Sequence, residues 1–288
     1  MDRRGFVALA AGMPVLATSA PAVAATRGVS EIPTRRCGKV EIAFHSPGPR
    51  PNGIQATKDG LWIIDQGDGN RVYLVAYDGK VIRSFGTKTD KSSGITFDGT
   101  SLWIGSTYSR EIVKVDAQSG KTLERHFTPG AGIIYQMKGD PAPRSSPFAK
   151  KTPVVQSKPQ GIGGFQMGKL QGAAAPGTGA HGQEWRDGRL WFAVPPSREV
   201  YCIEPETWIV QKKFPTSGNR PHGIGWEGKY LWVADSNLNA FFKHDPDTGD
   251  VLEKIQLSDS DPLPHGMTIW QGTMWYCDDV GLICRFKM

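Results

Sequence analysis

From residue 39 onward the hydrophobic positions fall in short runs, and clusters of Asp, Gly, Asn and Ser separate them. The runs are rich in Val, Ile, Leu, Trp, Tyr and Phe. That pattern predicts short β-strands joined by tight turns.

The runs repeat. One segment has Pro51-Asn52-Gly53-Ile54, then runs at 60–65, 72–79 and 81–85. A second has Ser93-Gly94-Ile95, then runs at 102–106, 112–116 and 122–127. A third begins at His181-Gly182, with runs at 190–194, 200–204 and 209–214. A fourth begins at His222-Gly223-Ile224, with runs at 231–235, 240–245 and 251–257. The fifth has His265-Gly266-Met267, 274–278 and 282–286, and lacks a fourth run. Each second run carries a Trp, at Trp62, Trp103, Trp191, Trp232 and Trp275, with spacings of 41, 88, 41 and 43 residues. A four-stranded unit of ~40–45 residues has the size of a propeller blade. Such a sheet exposes an apolar face when alone and buries it when stacked in a ring. The repeated Trp is therefore expected between blades.

The expected fold is all-β: a β-propeller of four-stranded blades, five favoured and six the alternative. A run at 39–44 resembles an outer strand without inner partners. It predicts ring closure, with the N-terminal strand completing the last blade and removing an open edge. The 88-residue spacing leaves room for a degenerate sixth blade. Residues 138–180, however, contain no Leu-Trp run and read as a Gly/Pro-rich insertion. A loop of that length is often functional.

Composition supports this picture. The chain has 288 residues with 35 Gly and 21 Pro, and both residues break helices. Its 9 Trp, 7 Tyr and 12 Phe argue against disorder. The net charge of +6 comes from dispersed basic residues, which does not make a nucleic-acid stripe. Residues 1–25 read as a targeting segment. Arg3-Arg4-Gly5-Phe6-Val7 has the form of a twin-arginine signal, and Ala22-Val23-Ala24 is an A-x-A cleavage pattern. The expected mature protein is one propeller domain over 26–288, periplasmic or secreted, with no membrane association after cleavage. Four cysteines follow the signal, Cys37, Cys202, Cys277 and Cys284. They allow three full disulfide pairings, with buried free thiols as the alternative.

In a propeller the first strand of each blade lines the central channel. The blade-start position holds Asn52, Ser93, His181, His222 and His265. Three imidazoles converging at a channel mouth can bind a divalent metal with an open position or serve as general acid and base. The metal set expected is His181, His222 and His265, with Glu184 beside them. Asp65, Asp235 and Asp278 share one position after the Trp run and are candidates for outer carboxylates or for turn caps. Arg71, Arg110 and Arg198, with Asn239 at the matching place, are expected on the same face. With Asn52 they would make a rim for a carboxylate or phosphate. Walker, G-x-S-x-G and HExxH motifs are absent.

Pro221-His222-Gly223-Ile224, Tyr230-Leu231-Trp232-Val233-Ala234-Asp235 and His244-Asp245-Pro246-Asp247-Thr248-Gly249 resemble the repeats of a broad propeller superfamily. It includes streptogramin (virginiamycin B) lyases, propeller-type glutaminyl cyclases, and NHL or quinoprotein-like repeats. The resemblance covers about 38–129 and 181–288. Streptogramin lyases are similar in using a channel-mouth histidine with glutamates and a magnesium ion to open a cyclic ester by elimination. The resemblance thus implies a metal-assisted lyase or hydrolase acting on a small anionic or ester-containing molecule. Where those lyases carry Glu after the Trp strand, this chain has Asp65, Ser106, Val194, Asp235 and Asp278. The competing expectation is a non-catalytic ligand-binding or scaffold propeller with structural histidines.

Overall fold

The computed structural model describes residues 28–67, 69–149 and 178–288, and the backbone of 165–167. The targeting segment and most of the 138–180 insertion lie outside the described residues.

Five four-stranded antiparallel sheets form the blades. Blade 1 opens after β1 (Glu41–His45) and contains β2 (Pro51–Thr57), β3 (Gly60–Asp65), β4 (Arg71–Val75) and β5 (Val81–Gly86). Blade 2 contains β6 (Ser92–Phe97), β7 (Ser101–Ser106), β8 (Glu111–Asp116) and β9 (Thr122–Phe127). The chain then leaves the ring at Gly132 and returns at Thr178, where the two residues exchange backbone bonds of 3.1 and 2.7 Å. Between them β10 (Ile134–Gln136) pairs in parallel with β11 (Phe165–Met167). Blade 3 contains β12 (Gln183–Arg186), β13 (Arg189–Val194), β14 (Glu199–Glu204) and β15 (Ile209–Pro215). Blade 4 contains β16 (Pro221–Glu227), β17 (Tyr230–Asp235), β18 (Ala240–His244) and β19 (Val251–Gln256). Blade 5 contains β20 (Met267–Trp270), β21 (Thr273–Asp278) and β22 (Leu282–Lys287), and β1 pairs with β22 as its outer strand. The ring has five blades and is closed as the repeat predicts.

Each repeated Trp is buried in the interface between its own blade and the next. Trp62 packs with Ile95 and Leu102, and Trp103 with Leu190 and Phe192. Trp191 packs with Leu231 and Val233, Trp232 with Met274 and Tyr276, and Trp275 with Leu61 and Ile63. Five interfaces of the same kind thus close the ring. All four cysteines are free thiols.

The inner strands meet so closely at the axis that side chains are excluded. A Cβ on Gly53 would stand 2.6 Å from Gly94 Cα, and one on Gly266 would stand 2.5 Å from Gly53 Cα. A Cβ on Gly182 would collide with the His222 carbonyl, and one on Gly223 with the Met267 backbone. The glycine after each blade-start residue is therefore required by the ring.

Candidate functional site

The blade-start residues form the uppermost ring of the channel. Their histidines meet: the His181 and His222 ring centroids are 4.6 Å apart, as are those of His222 and His265. Asn52 and Ser93 complete the ring, with Ser93 Oγ donating to Asn52 Oδ1 at 3.1 Å. His222 and His265 are buried, while His181 is partly exposed to a cavity of about 500 Å³. Asn52 and all three histidines line that cavity.

Neighbouring groups fix the imidazoles. Ser236 Oγ donates its proton to the Pro264 carbonyl at 2.6 Å, so it accepts from His222 Nδ1 at 2.6 Å. That assigns the hydrogen to Nδ1 and leaves the lone pair on Nε2. His181 Nε2 lies 2.9 Å from Thr178 Oγ1, and its Nδ1 is buried without a partner. His265 Nε2 lies 3.5 Å from Asp279 Oδ2, and its Nδ1 is also buried without a partner. Burial, followed by the positive charges of Arg220 and His265, pushes His181 down to about 3. Burial also holds His222 well below the usual imidazole range, with His265, His181 and Arg220 adding to the effect. His265 is lowered by burial against the opposing pull of Asp279. The three rings are therefore neutral near pH 7.

Asp65, Asp235 and Asp278 show what the position after the Trp strand does. Asp65 Oδ2 accepts from Arg50 N at 2.6 Å and its Oδ1 from Gly67 N at 2.7 Å. Asp235 accepts from Arg220 N and Leu238 N, both at 2.9 Å. These two are backbone clamps. Asp278 Oδ2 keeps half of the pattern, accepting from Leu263 N at 2.8 Å, and also accepts from Ser146 Oγ at 2.6 Å. Its Oδ1 is buried without a partner. Burial, with Asp279 adjacent, raises Asp278 to about 7 against those two hydrogen bonds.

Among the described residues, His265, Asp278 and Asp279 bring one ligand atom each within 4.8 Å of one another. The set His181, His222, His265 and Glu184 is not such a group. Glu184 sits three residues past the blade start, in a deeper layer, where Thr268 Oγ1 donates to its Oε1 at 3.2 Å. In that layer Thr96 Oγ1 donates to Gln55 Oε1 at 2.6 Å and Gln55 Nε2 to Thr268 Oγ1 at 3.2 Å. Burial raises Glu184 to about 8, so it is a protonated member of a polar belt across the channel.

The expected arginine rim is also placed differently. Arg71, Arg110, Arg198 and Asn239 do not line the cavity. Arg71 lies over Tyr73 and bonds Ser84 Oγ at 3.0 Å. Arg198 holds Asp140 at 2.6 Å. Arg110, Arg198 and Asn239 occupy left-handed turn positions, with φ of 60°, 55° and 52°, and their blade 1 equivalent is Asn70 at 41°. The arginines that do line the cavity are Arg50, Arg144 and Arg220. Arg50 and Arg220 stand two residues before Asn52 and His222, in the matching strings Arg50-Pro51-Asn52-Gly53-Ile54 and Arg220-Pro221-His222-Gly223-Ile224. Extending the repeat by two residues toward the N-terminus would have found them.

The insertion contributes as well. Its start crosses the channel mouth, tied to blade 3 by Asp140–Arg198 and to blade 4 by Asn219 Nδ2 donating to the Pro141 carbonyl at 3.2 Å. Arg144 and Ser146 then reach blade 5 at Asp259 and Asp278, both at 2.6 Å.

No family model matches the sequence, and no curated protein does. Solved structures are similar in fold. Glutaminyl cyclase from Myxococcus xanthus superposes with a TM-score of 0.57 at 9% identity, covering 86% of this chain and 95% of the cyclase. A catalytically inactive variant of virginiamycin B lyase from Staphylococcus aureus, solved with quinupristin, gives 0.46 at 18% identity over 83% of this chain and 66% of the lyase. The likeness at these identities is one of fold: the chain is a five-bladed β-propeller.

Proposed function

We propose that this is an exported β-propeller enzyme acting on a small anionic or ester-containing molecule at the channel mouth, as a lyase or hydrolase assisted by a divalent cation. The observation that carries the reading is the convergence of three imidazoles in one cavity. Export rests on the Arg3-Arg4 leader and its A-x-A end.

The fit for a cation lies with His265, Asp278 and Asp279 rather than with the three histidines. Asp278 Oδ1 and His265 Nδ1 are buried polar atoms without partners, and two carboxylates with an imidazole suit a hard or borderline divalent ion. Such an ion would polarise a carbonyl or phosphoryl oxygen or make a bound water acidic. The chain's own part is proton transfer. With Nδ1–H held on Ser236, His222 presents the Nε2 lone pair as a general base. Burial makes that base weak, and a bound anion restores part of its basicity.

The test is cation content and turnover in protein purified from the periplasm, with His222→Ala and His265→Ala alongside. Turnover is followed as acid release or alkene formation over small carboxylate esters and lactones. We expect one divalent cation per chain, kept in His222→Ala and lost in His265→Ala, and turnover lost in both. No cation in any of the three proteins, with ligand binding unaltered in the variants, would overturn the reading.

A further inference from the structure

We infer that the molecule bound at the channel mouth is a small dicarboxylate, with one carboxylate on Arg50 and the other on Arg220. The proposal deepens the functional reading above, sharing its site but not depending on turnover.

The argument starts from the repeat. The position two residues before the blade start holds Arg50, Lys91, Gly179, Arg220 and Leu263 in blades 1 to 5. Its orientation depends on what stands after the Trp strand. In blades 1 and 4 an aspartate takes the backbone N–H of the arginine, Asp65 at 2.6 Å and Asp235 at 2.9 Å. A proline follows each arginine and restricts it to extended backbone. In blade 2 the clamp is Ser106, which takes the N–H of Asp90 instead. There Lys91 adopts φ 49° and does not line the cavity. In blade 3 the clamp position is Val194. The same device thus aims an arginine at the cavity twice, in blades 1 and 4.

Blade 5 lies between those two blades in the ring, because β20 packs on both β16 and β2. It carries Leu263 at the arginine position, and His265 and Asp279 line the cavity there. A ligand anchored at both ends would span blade 5 and lay its middle against His265, with His222 alongside. Guanidinium forks match carboxylates in a bidentate geometry. Arg50 makes no side-chain hydrogen bond or ion pair among the described residues, and its side chain is free to close on a ligand. Arg220 is half-buried, faces the charges of Asp279 and Asp235, and already has an interaction of its own, so a ligand carboxylate would share its several N–H donors rather than meet an unpaired cation. Arg144, the third cavity arginine, is paired with Asp259. The cavity volume equals roughly seventeen waters at ~30 Å³ each, room for a short-chain diacid.

The experiment is titration calorimetry on the chain without its leader at pH 7. The probes are the unbranched diacids from malonate to pimelate, with butyrate and succinamide for comparison. We expect one diacid length to bind at least tenfold tighter than butyrate, and succinamide not to bind. Arg50→Gln and Arg220→Gln should each weaken that diacid by at least tenfold and erase its advantage over butyrate. Lys58→Gln, on an exposed turn, should leave it unchanged. Arg50 is exposed, so Arg50→Gln keeps the test valid if Arg220→Gln fails to fold. No binding by any diacid, equal binding of diacid and monoacid, or wild-type affinity in Arg50→Gln would overturn the proposal. Diacid binding without turnover of any ester would leave it standing and remove the enzymatic reading. Turnover of neutral esters without diacid preference would do the reverse.

Discussion

His244 shows what burial does to an imidazole far from the channel mouth. It is fully buried against Phe214, its Nδ1 donates to the Gly249 carbonyl at 3.1 Å, and its Nε2 has no partner. Burial lowers it to about 4 against the opposing effect of that hydrogen bond. Above pH 6.5 both folded and unfolded chains hold it neutral. As pH falls below 6.5 the unfolded chain takes up a proton that the folded chain refuses. Stability is then lost at about 1.4 kcal/mol per pH unit until pH 4, on the order of 3 kcal/mol in all. His244→Asn keeps a donor for Gly249 and does not titrate. We expect the variant to be less stable at pH 7, yet to lose 2–3 kcal/mol less than the parent between pH 7 and pH 4 (roughly the linkage figure above). Urea unfolding at both pH values measures this, and parallel losses would refute the assignment. The histidines of the site were legible in the sequence because three of them share one repeat position. The arginines were not. Arg71 looked equivalent to Arg110 only because a one-residue shift in the turn hides Asn70, and Arg50 and Arg220 lie just outside the repeated block.

The inner strand decides which residues reach the channel. In a regular strand, positions three apart face opposite ways. Here the register slips between Pro51 and Gly53, between Ser93 and Ile95, and between Pro221 and Ile224. Each bulge inserts a residue beside the glycine and re-aims the chain. The blade-start residue and the residue three later consequently both face the axis, giving the histidine ring and the Gln55–Thr96–Glu184–Thr268 belt below it. Alternation alone gives no sign of those bulges, so the sequence placed Glu184 beside the histidines instead of one layer beneath. The glycines supply the test of this arrangement. Gly266→Ala would put a Cβ 2.5 Å from Gly53 Cα and 3.0 Å from Cys277 Sγ, both rigid neighbours. We expect a cost of about 3 kcal/mol or more, as for overpacking that moves backbone. Gly188 has φ 75° but nothing within 4 Å of an added Cβ. Gly188→Ala should cost only about 1–2 kcal/mol, the strain of the left-handed conformation. Chemical denaturation of the two variants separates crowding from strain, and equal costs would dismiss the close approach at the axis.

Closure of the whole ring depends on the N-terminal segment more than its short strand suggests. Before reaching blade 5 the chain runs beside blade 4, where Arg35 N donates to the Lys254 carbonyl and Lys254 N to the Pro33 carbonyl, both at 2.8 Å. Arg35 then lies over Trp232 and pairs with Glu227 at 2.6 Å and Glu253 at 2.7 Å. β1 follows as the outer strand of blade 5, and the chain enters blade 1 directly. One segment therefore binds three successive blades across the joint. The sequence announced β1, because an unpaired hydrophobic run at one end matched a missing run at the other. It did not announce Arg35, whose partners are more than 190 positions away and are brought near only by the closed ring. Removing residues up to 46 would leave Leu282, Ile283, Cys284 and Phe286, all buried, on an uncovered edge strand. A chain starting at residue 47 should unfold more than ten degrees lower than the parent and aggregate on heating. Arg35→Gln should keep the closed ring and lower the midpoint by only a few degrees, since its two ion pairs keep about a quarter of their side-chain surface in solvent and such partly exposed pairs contribute modestly. Thermal unfolding followed by far-UV circular dichroism and light scattering distinguishes the two. A truncated chain that stays monomeric and melts with the parent would show that the five interfaces hold the ring without the N-terminal strand.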